Sequence, residues 1–305
     1  MFVYTNHAYA TPAGHVDVAD LLRRICVRPP YFALNDLRFD AGTFNATAVA
    51  ERATSLEVGP MQACDISRHA AICGLSTVAL SMADDDRRYY LAQDAVYQGF
   101  ENPAPYGSAV TFQATVLEQN KRQATAEINV TSDGQPLAHL TVRYTLMNEG
   151  AFQRLFRSKH VPSFTSLTHD RMPDPPMGVF SADTNKTTLI LDRVPVDACA
   201  GHFDGFPAMP VAVLMGQLGL VAGRNYGAPY WVEEATMSAG EFCWAGETAR
   251  FEVSALPERG CYSGTAFASD TAVSDVTFRF HPGHVPGLPT SPLSMALEVR
   301  PVVLR

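Results

Sequence analysis

No run of apolar residues in the 305-residue sequence approaches the length needed to cross a bilayer as a helix. Basic residues are few: 23 Lys and Arg stand against 31 Asp and Glu, a net charge of −8. An acidic surface repels both a phosphate backbone and an anionic membrane, so neither nucleic acid nor membrane is expected as a partner. The first twenty residues lack a basic segment followed by an apolar core, and are not read as a secretory signal. The six cysteines (Cys26, Cys64, Cys73, Cys199, Cys243 and Cys261) show no CxxC spacing. They are expected to be reduced and mostly buried in a cytoplasmic protein. The chain also lacks a GxSxG, P-loop, HExxH or dinucleotide fingerprint, and neither cofactor nor metal is expected.

What is present is a repeat. The length suggests two domains, and a 47% hydrophobic content is enough to fill their cores. Residues 60–82 form a long apolar stretch rich in small side chains, among them Ala63, Ala70, Ala71, Gly74 and Ala79. Residues 209–223 match it, with Ala212, Gly216, Gly219 and Ala222. Both are too long and continuous for strands, which predicts two buried helices. Each is followed by alternating apolar and polar segments, the pattern of half-buried antiparallel strands. A turn precedes the last strand of each half, at Asp133-Gly134 and at Asp270-Thr271. The expected fold class is α+β, with one helix and one antiparallel sheet per copy. The copies are placed at residues 1–149 and 178–305, joined by an irregular Pro-containing linker over residues 150–177. Residues before about 30 and after 283 read as extensions. Arg154, Arg157, Lys159 and His160 make a small basic cluster in the linker, a solvated stretch or a dock for an acidic carrier.

The most specific segment is residues 201–210, GHFDGFPAMP, directly before the second apolar helix. His202-Phe203-Asp204-Gly205-Phe206-Pro207-Ala208-Met209-Pro210 resembles the H-F-x-G-x-P-x-M-P signature of the β-hydroxyacyl-acyl-carrier-protein dehydratases. The resemblance implies a hot-dog fold, in which an antiparallel sheet wraps one long helix. It implies a double hot dog here, both units being fused in one chain. It also implies that His202 is the base, and that Gly205, Pro210 and Val211 lie against the substrate. Free N–H groups at a helix start can stabilise charge on a thioester oxygen.

The sequence departs from that family at its acid. Seven positions after Met209 stands Gly216; seven after Met61, the matching Met of the first copy, stands Arg68. Thr54 occupies the first copy's histidine place. A site made of Thr54 and Gly216 would be empty, whereas His202 would meet Arg68, flanked by Asp65 and His69. On a helix these three project to one side. One reading gives Asp65 or His69 the role of the missing acid and Arg68 that of substrate holder. The other makes Asp65 an ion-pair partner of Arg68 with no chemistry. Asp204 either orients His202 or caps the loop.

Three functions follow from the resemblance. The first is a dehydratase-like enzyme acting on a β-hydroxyacyl thioester of acyl carrier protein or CoA, in fatty-acid or polyketide synthesis. The second is a hot-dog acyl thioesterase. The third is a non-catalytic acyl-binding protein. The fused pair needs no second chain, so a monomer or a homodimer is expected.

Overall fold

The computed structural model describes residues 14–51, 55–164, 171–183 and 186–283. The first half comprises α1 (Val18–Arg24), β1 (Asn35–Asp40), β2 (Thr43–Ala48), α2 (Ala63–Ser81), β3 (Arg88–Gly99), β4 (Val110–Gln119), β5 (Gln123–Ser132) and β6 (Gln135–Asn148). A short helix, α3 (Glu149–Leu155), follows. The second half comprises β7 (Val179–Ala182), β8 (Lys186–Leu191), α4 (Val211–Tyr226), β9 (Tyr230–Ala239), β10 (Ala249–Ala255), β11 (Cys261–Ala268) and β12 (Thr271–Pro282). Among the described residues no helix is long and apolar enough to cross a membrane.

All twelve strands form one antiparallel sheet in the order β1-β2-β4-β5-β6-β3-β9-β12-β11-β10-β8-β7. Read outward from its centre, the order is the same in both directions: each strand of one half has its counterpart in the other. The halves join where β3 pairs with β9, from Asp94 opposite Ser238 to Gln98 opposite Glu234. The two segments that match in sequence after each helix are thus the strands that meet at the seam.

Alternation decides which face of the sheet is covered. Val110, Phe112 and Ala114 of β4, and Leu140, Val142 and Tyr144 of β6, are buried, while Thr111, Gln113 and Arg143 point outward. The buried face wraps α2, which packs on β2, β4, β5 and β6, and α4, which packs on β8, β10, β11 and β12. The two helices also touch each other. Sheet on one side and helix on another explains why α2 carries so little charge. Small residues set the closeness: a side chain at Gly74 would run into the Tyr144 hydroxyl, which donates to the Ala71 carbonyl at 2.8 Å. Gly223 of α4 faces the Tyr230 hydroxyl in the same way.

Three local readings differ from expectation. The turn before β12 falls at Ser269-Asp270, both at positive φ (43° and 69°), one residue earlier than read from the sequence. Its counterpart Asp133-Gly134, at 50° and 74°, sits as expected; such paired positive φ values suit a two-residue hairpin. The segment after β6 begins as α3 rather than irregular chain. Its N-cap Asn148 accepts from Ala151 N–H, and its buried Phe152 stacks on Tyr89 at 3.6 Å. Residues 14–29, read as part of an extension, belong to the core: Leu21 and Ile25 are fully buried. Residues 1–13 and those after 283 lie outside the described residues.

Candidate functional site

The loop of residues 201–210 is fixed by backbone hydrogen bonds at both ends. His202 N–H donates to the Cys199 carbonyl at 2.9 Å, and Met209 N–H to that of Cys243 at 2.7 Å. Phe203 and Phe206 are buried and pack edge-on against Phe152 of α3. Gly201 lies at φ 74°, against the Arg28 and Tyr31 backbone, where no larger residue fits. Asp204 does not bond to His202. It pairs with Arg28 Nε at 3.0 Å and Arg87 Nη2 at 3.1 Å, tying the loop to the first half.

His202 Nδ1 lies 3.0 Å from the Ala208 carbonyl oxygen. A carbonyl only accepts, so Nδ1 carries the hydrogen and Nε2 keeps its lone pair. Burial lowers the His202 pKa to about 4, against the smaller opposing effect of that hydrogen bond. The imidazole is therefore neutral at pH 7.

His202 lines a cavity of about 140 Å³ between the halves. The second half adds Met209, Val211, Ala212 and Met215; the first adds Tyr31, Ser67, Ala71 and Leu75. Pro210 caps α4 without a side-chain acceptor. The N–H groups of Val211 and Ala212 therefore have no acceptor inside the helix. Tyr31 is buried, its ring 5.2 Å from that of His202, and burial holds its phenol far above its ordinary range. Ser67 Oγ is buried with no hydrogen-bond partner among the described residues. Among the described residues, Glu241 is the only carboxylate that lines this space, and it is exposed.

The expected grouping of His202 with Asp65, Arg68 and His69 is not what lines the cavity. Ser67, Ala71 and Leu75 recur every four residues on one face of α2, and that face looks toward His202. Arg68 is turned about 100° from Ser67 by the helix. Its Nη2 bonds Glu51 at 2.9 Å and lies 3.9 Å from Asp65. Arg68 Nη2 also lies 2.9 Å from His69 Nε2, whose ring packs at 5.7 Å from Phe112 of β4. Burial first, and the Arg68 charge second, push the His69 pKa well below its ordinary value. Asp65 and Arg68 share a separate space of about 20 Å³ with Gly216, room for a single water. The two positions seven after each Met thus meet each other between the helices. Of the remaining expected contacts, Val211 lines the His202 cavity, and Gly205 and Pro210 do not. Thr54 lies outside the described residues. Tyr31 and Ser67 carried no sequence signal of their own.

A neutral base, two unpaired helix N–H donors, two hydroxyls and apolar walls in one space can bind a carbonyl compound with an apolar chain. They can also deprotonate a water or a substrate carbon beside its carbonyl.

No family model matches the sequence, and no curated protein matches it. Solved structures do match. One, from Lactobacillus plantarum and assigned as an oleoyl thioesterase, is 14% identical with a TM-score of 0.55, over 80% of this chain and 97% of that one. An acyl-ACP thioesterase from Bacteroides thetaiotaomicron is 10% identical with a TM-score of 0.53, over 79% and 98%. The 12:0-ACP thioesterase from Umbellularia californica is 12% identical with a TM-score of 0.53, over 80% and 99%. At these identities the likeness is one of fold, and it agrees with the sheet order and the two wrapped helices: the chain has the hot-dog fold.

Proposed function

We propose that this chain is an acyl-thioester hydrolase, a double hot dog with one active site per chain in the cavity between His202 and α2. The observation that carries the proposal is the pairing of a neutral His202 with the open N-terminus of α4 in a space with no buried carboxyl group. Hydrolysis needs a base for water and donors for the carbonyl oxygen, and both are at hand. Dehydration needs in addition an acid to protonate the departing hydroxyl. The family's acid position is filled by Arg68, a cation paired with Glu51 that does not line the cavity, and the hydroxyls that do, Tyr31 and Ser67, are poor acids. That the three solved structures named above are described as thioesterases supports the same choice.

In this reading His202 Nε2 takes a proton from water as its oxygen attacks the thioester carbonyl. The Val211 and Ala212 N–H groups hold the developing oxyanion. The C–S bond then breaks, the imidazolium returns the proton to the leaving thiolate, and acid and thiol are released. Tyr31 and Ser67 donate to the water or to the carbonyl. The thiol belongs to acyl carrier protein or to CoA.

The second reading, dehydration of a β-hydroxyacyl thioester, rests on the GHFDGFPAMP motif. One experiment separates the two. The protein is incubated with saturated and β-hydroxyacyl thioesters of CoA and of acyl carrier protein, in short, medium and long chains. Free thiol and the enoyl chromophore are followed together. Thiol release from saturated substrates without enoyl product is the expected result. Enoyl formation from the β-hydroxyacyl substrates without thiol release would replace hydrolysis by dehydration.

A further inference from the structure

A second cavity, of about 730 Å³, lies beside the N-terminus of α2. Met61, Ile66, Tyr97, Leu137 and Trp231 give it apolar walls, and Glu57 and Glu101 are the only carboxyl groups among the described residues that line it. No lysine, arginine or histidine is among the described residues that line it. Its volume is that of a small-molecule site. Glu57 also borders a narrow cleft where Ala63 and Cys64, at the start of α2, face Gly216 and Gly219 of α4. By repeat position this narrow cleft, which Glu57 shares with the larger cavity, is the counterpart of the His202 cavity: there the start of α4 faces α2, here the start of α2 faces α4. From the sequence this second place is expected to be empty, since Thr54 and Gly216 bring no chemistry. The structure furnishes it with Glu57 instead.

Glu57 Oε1 accepts the Ala63 N–H at 2.7 Å, which fixes the carboxyl at the helix start. Its pKa is raised to about 8: burial pushes it up, the Ala63 bond opposes part of that rise, and the nearby Asp65 charge adds a smaller rise. The other groups coupled to it, the phenols of Tyr97 and Tyr230, are themselves neutral by burial. At neutral pH Glu57 is mostly protonated, so it can keep its bond to Ala63 and still offer an O–H.

We propose that this cavity is a second ligand site, which takes an uncharged acyl chain whose ester or thioester carbonyl accepts a hydrogen bond from the Glu57 carboxyl. An anionic head is disfavoured by Glu101, which no cation in the described lining offsets, and a quaternary ammonium cannot accept the Glu57 O–H. The inference stands on the cavity and on Glu57, and does not depend on chemistry at His202.

Binding of methyl decanoate, sodium decanoate and dodecyltrimethylammonium chloride is measured by Trp231 fluorescence in a Trp244→Phe background. Methyl decanoate is expected to saturate the signal, with at least about tenfold higher affinity than either charged probe. Ala104→Phe, which fills the cavity wall, and Glu57→Ala should each weaken it by about tenfold. Glu57→Gln, which keeps a donor and an acceptor, should stay within about threefold of the parent. His202→Ala should leave the binding unchanged, so that a failure of the hydrolase reading is distinguishable from a failure of this one. Unchanged thermal unfolding checks that each variant is folded. The proposal is overturned by no binding, by equal affinity for a charged probe, by indifference to both Ala104→Phe and Glu57→Ala, or by loss of binding in His202→Ala.

Discussion

Replacing His202 with alanine is expected to slow thiol release from an acyl thioester by about 10²–10⁴-fold, the usual contribution of a general base. The loop should survive the change. Its own hydrogen bonds are made by backbone groups, and its packing comes from Phe203 and Phe206 against α3. What is lost is the Nδ1 bond to Ala208 and the lone pair on Nε2. Folding and activity should therefore separate cleanly in this variant, with melting near the parent and turnover near background. The pH profile of thiol release by the parent protein gives the sign independently. In the proposed reaction the neutral imidazole is the working form, and burial lowers its pKa from the ordinary 6.5 to about 4. Activity should hold as pH falls from neutral to about 5, and drop as His202 gains its proton near 4. An acid limb centred near 6.5 would mean a different, solvent-exposed base.

Arg68→Ala is expected to do the reverse: a large loss of stability with little change in turnover per folded molecule. The Arg68 side chain is 3% exposed, and its partners Glu51 and Asp65 are 13% and 5% exposed. Removing the guanidinium leaves two carboxylates in a poorly hydrated region without that cation. Breaking a buried pair in this way costs about 3–5 kcal/mol. For a chain of this size, that lowers the melting temperature by about 5–8 °C. Denaturant unfolding of parent and variant, with turnover corrected for the folded fraction, checks both halves. A catalytic Arg68 would show the opposite pattern, turnover lost and melting unchanged.

These two residues also mark how far the sequence could be read. The helices, the strands that follow them and the repeat were legible because apolar periodicity and small residues record burial directly. Gly74 and Gly223 are examples, each making room for a tyrosine hydroxyl. The loop before α4 was legible because its glycines and prolines fix one conformation. The face of α2 that meets His202 was not. Moving by one residue along a helix turns the side chain by about 100°, so choosing between Ser67 and Arg68 requires knowing how the helices dock. Charge drew attention to Asp65, Arg68 and His69, but charge in a buried helix is also how Arg68 holds Glu51 to the core. Tyr31 was hidden for another reason. It comes from a segment read as an extension, and only tertiary folding carries it to within 5.2 Å of the His202 ring. Glu57 was overlooked because its meaning lies in its burial and in the Ala63 N–H it accepts, neither of which leaves a spacing in the sequence.

The central claim is that the thioester carbonyl sits between His202 and the start of α4. A crystal structure with a non-hydrolysable acyl thioether bearing a ketone in place of the thioester carbonyl tests this most directly. The ketone oxygen is predicted within hydrogen-bond distance of the Val211 or Ala212 N–H, with His202 Nε2 facing its carbon and the acyl chain running along Ala71 and Leu75. A ketone oxygen held instead by Arg68 or His69, with the His202 cavity free of ligand, would contradict it.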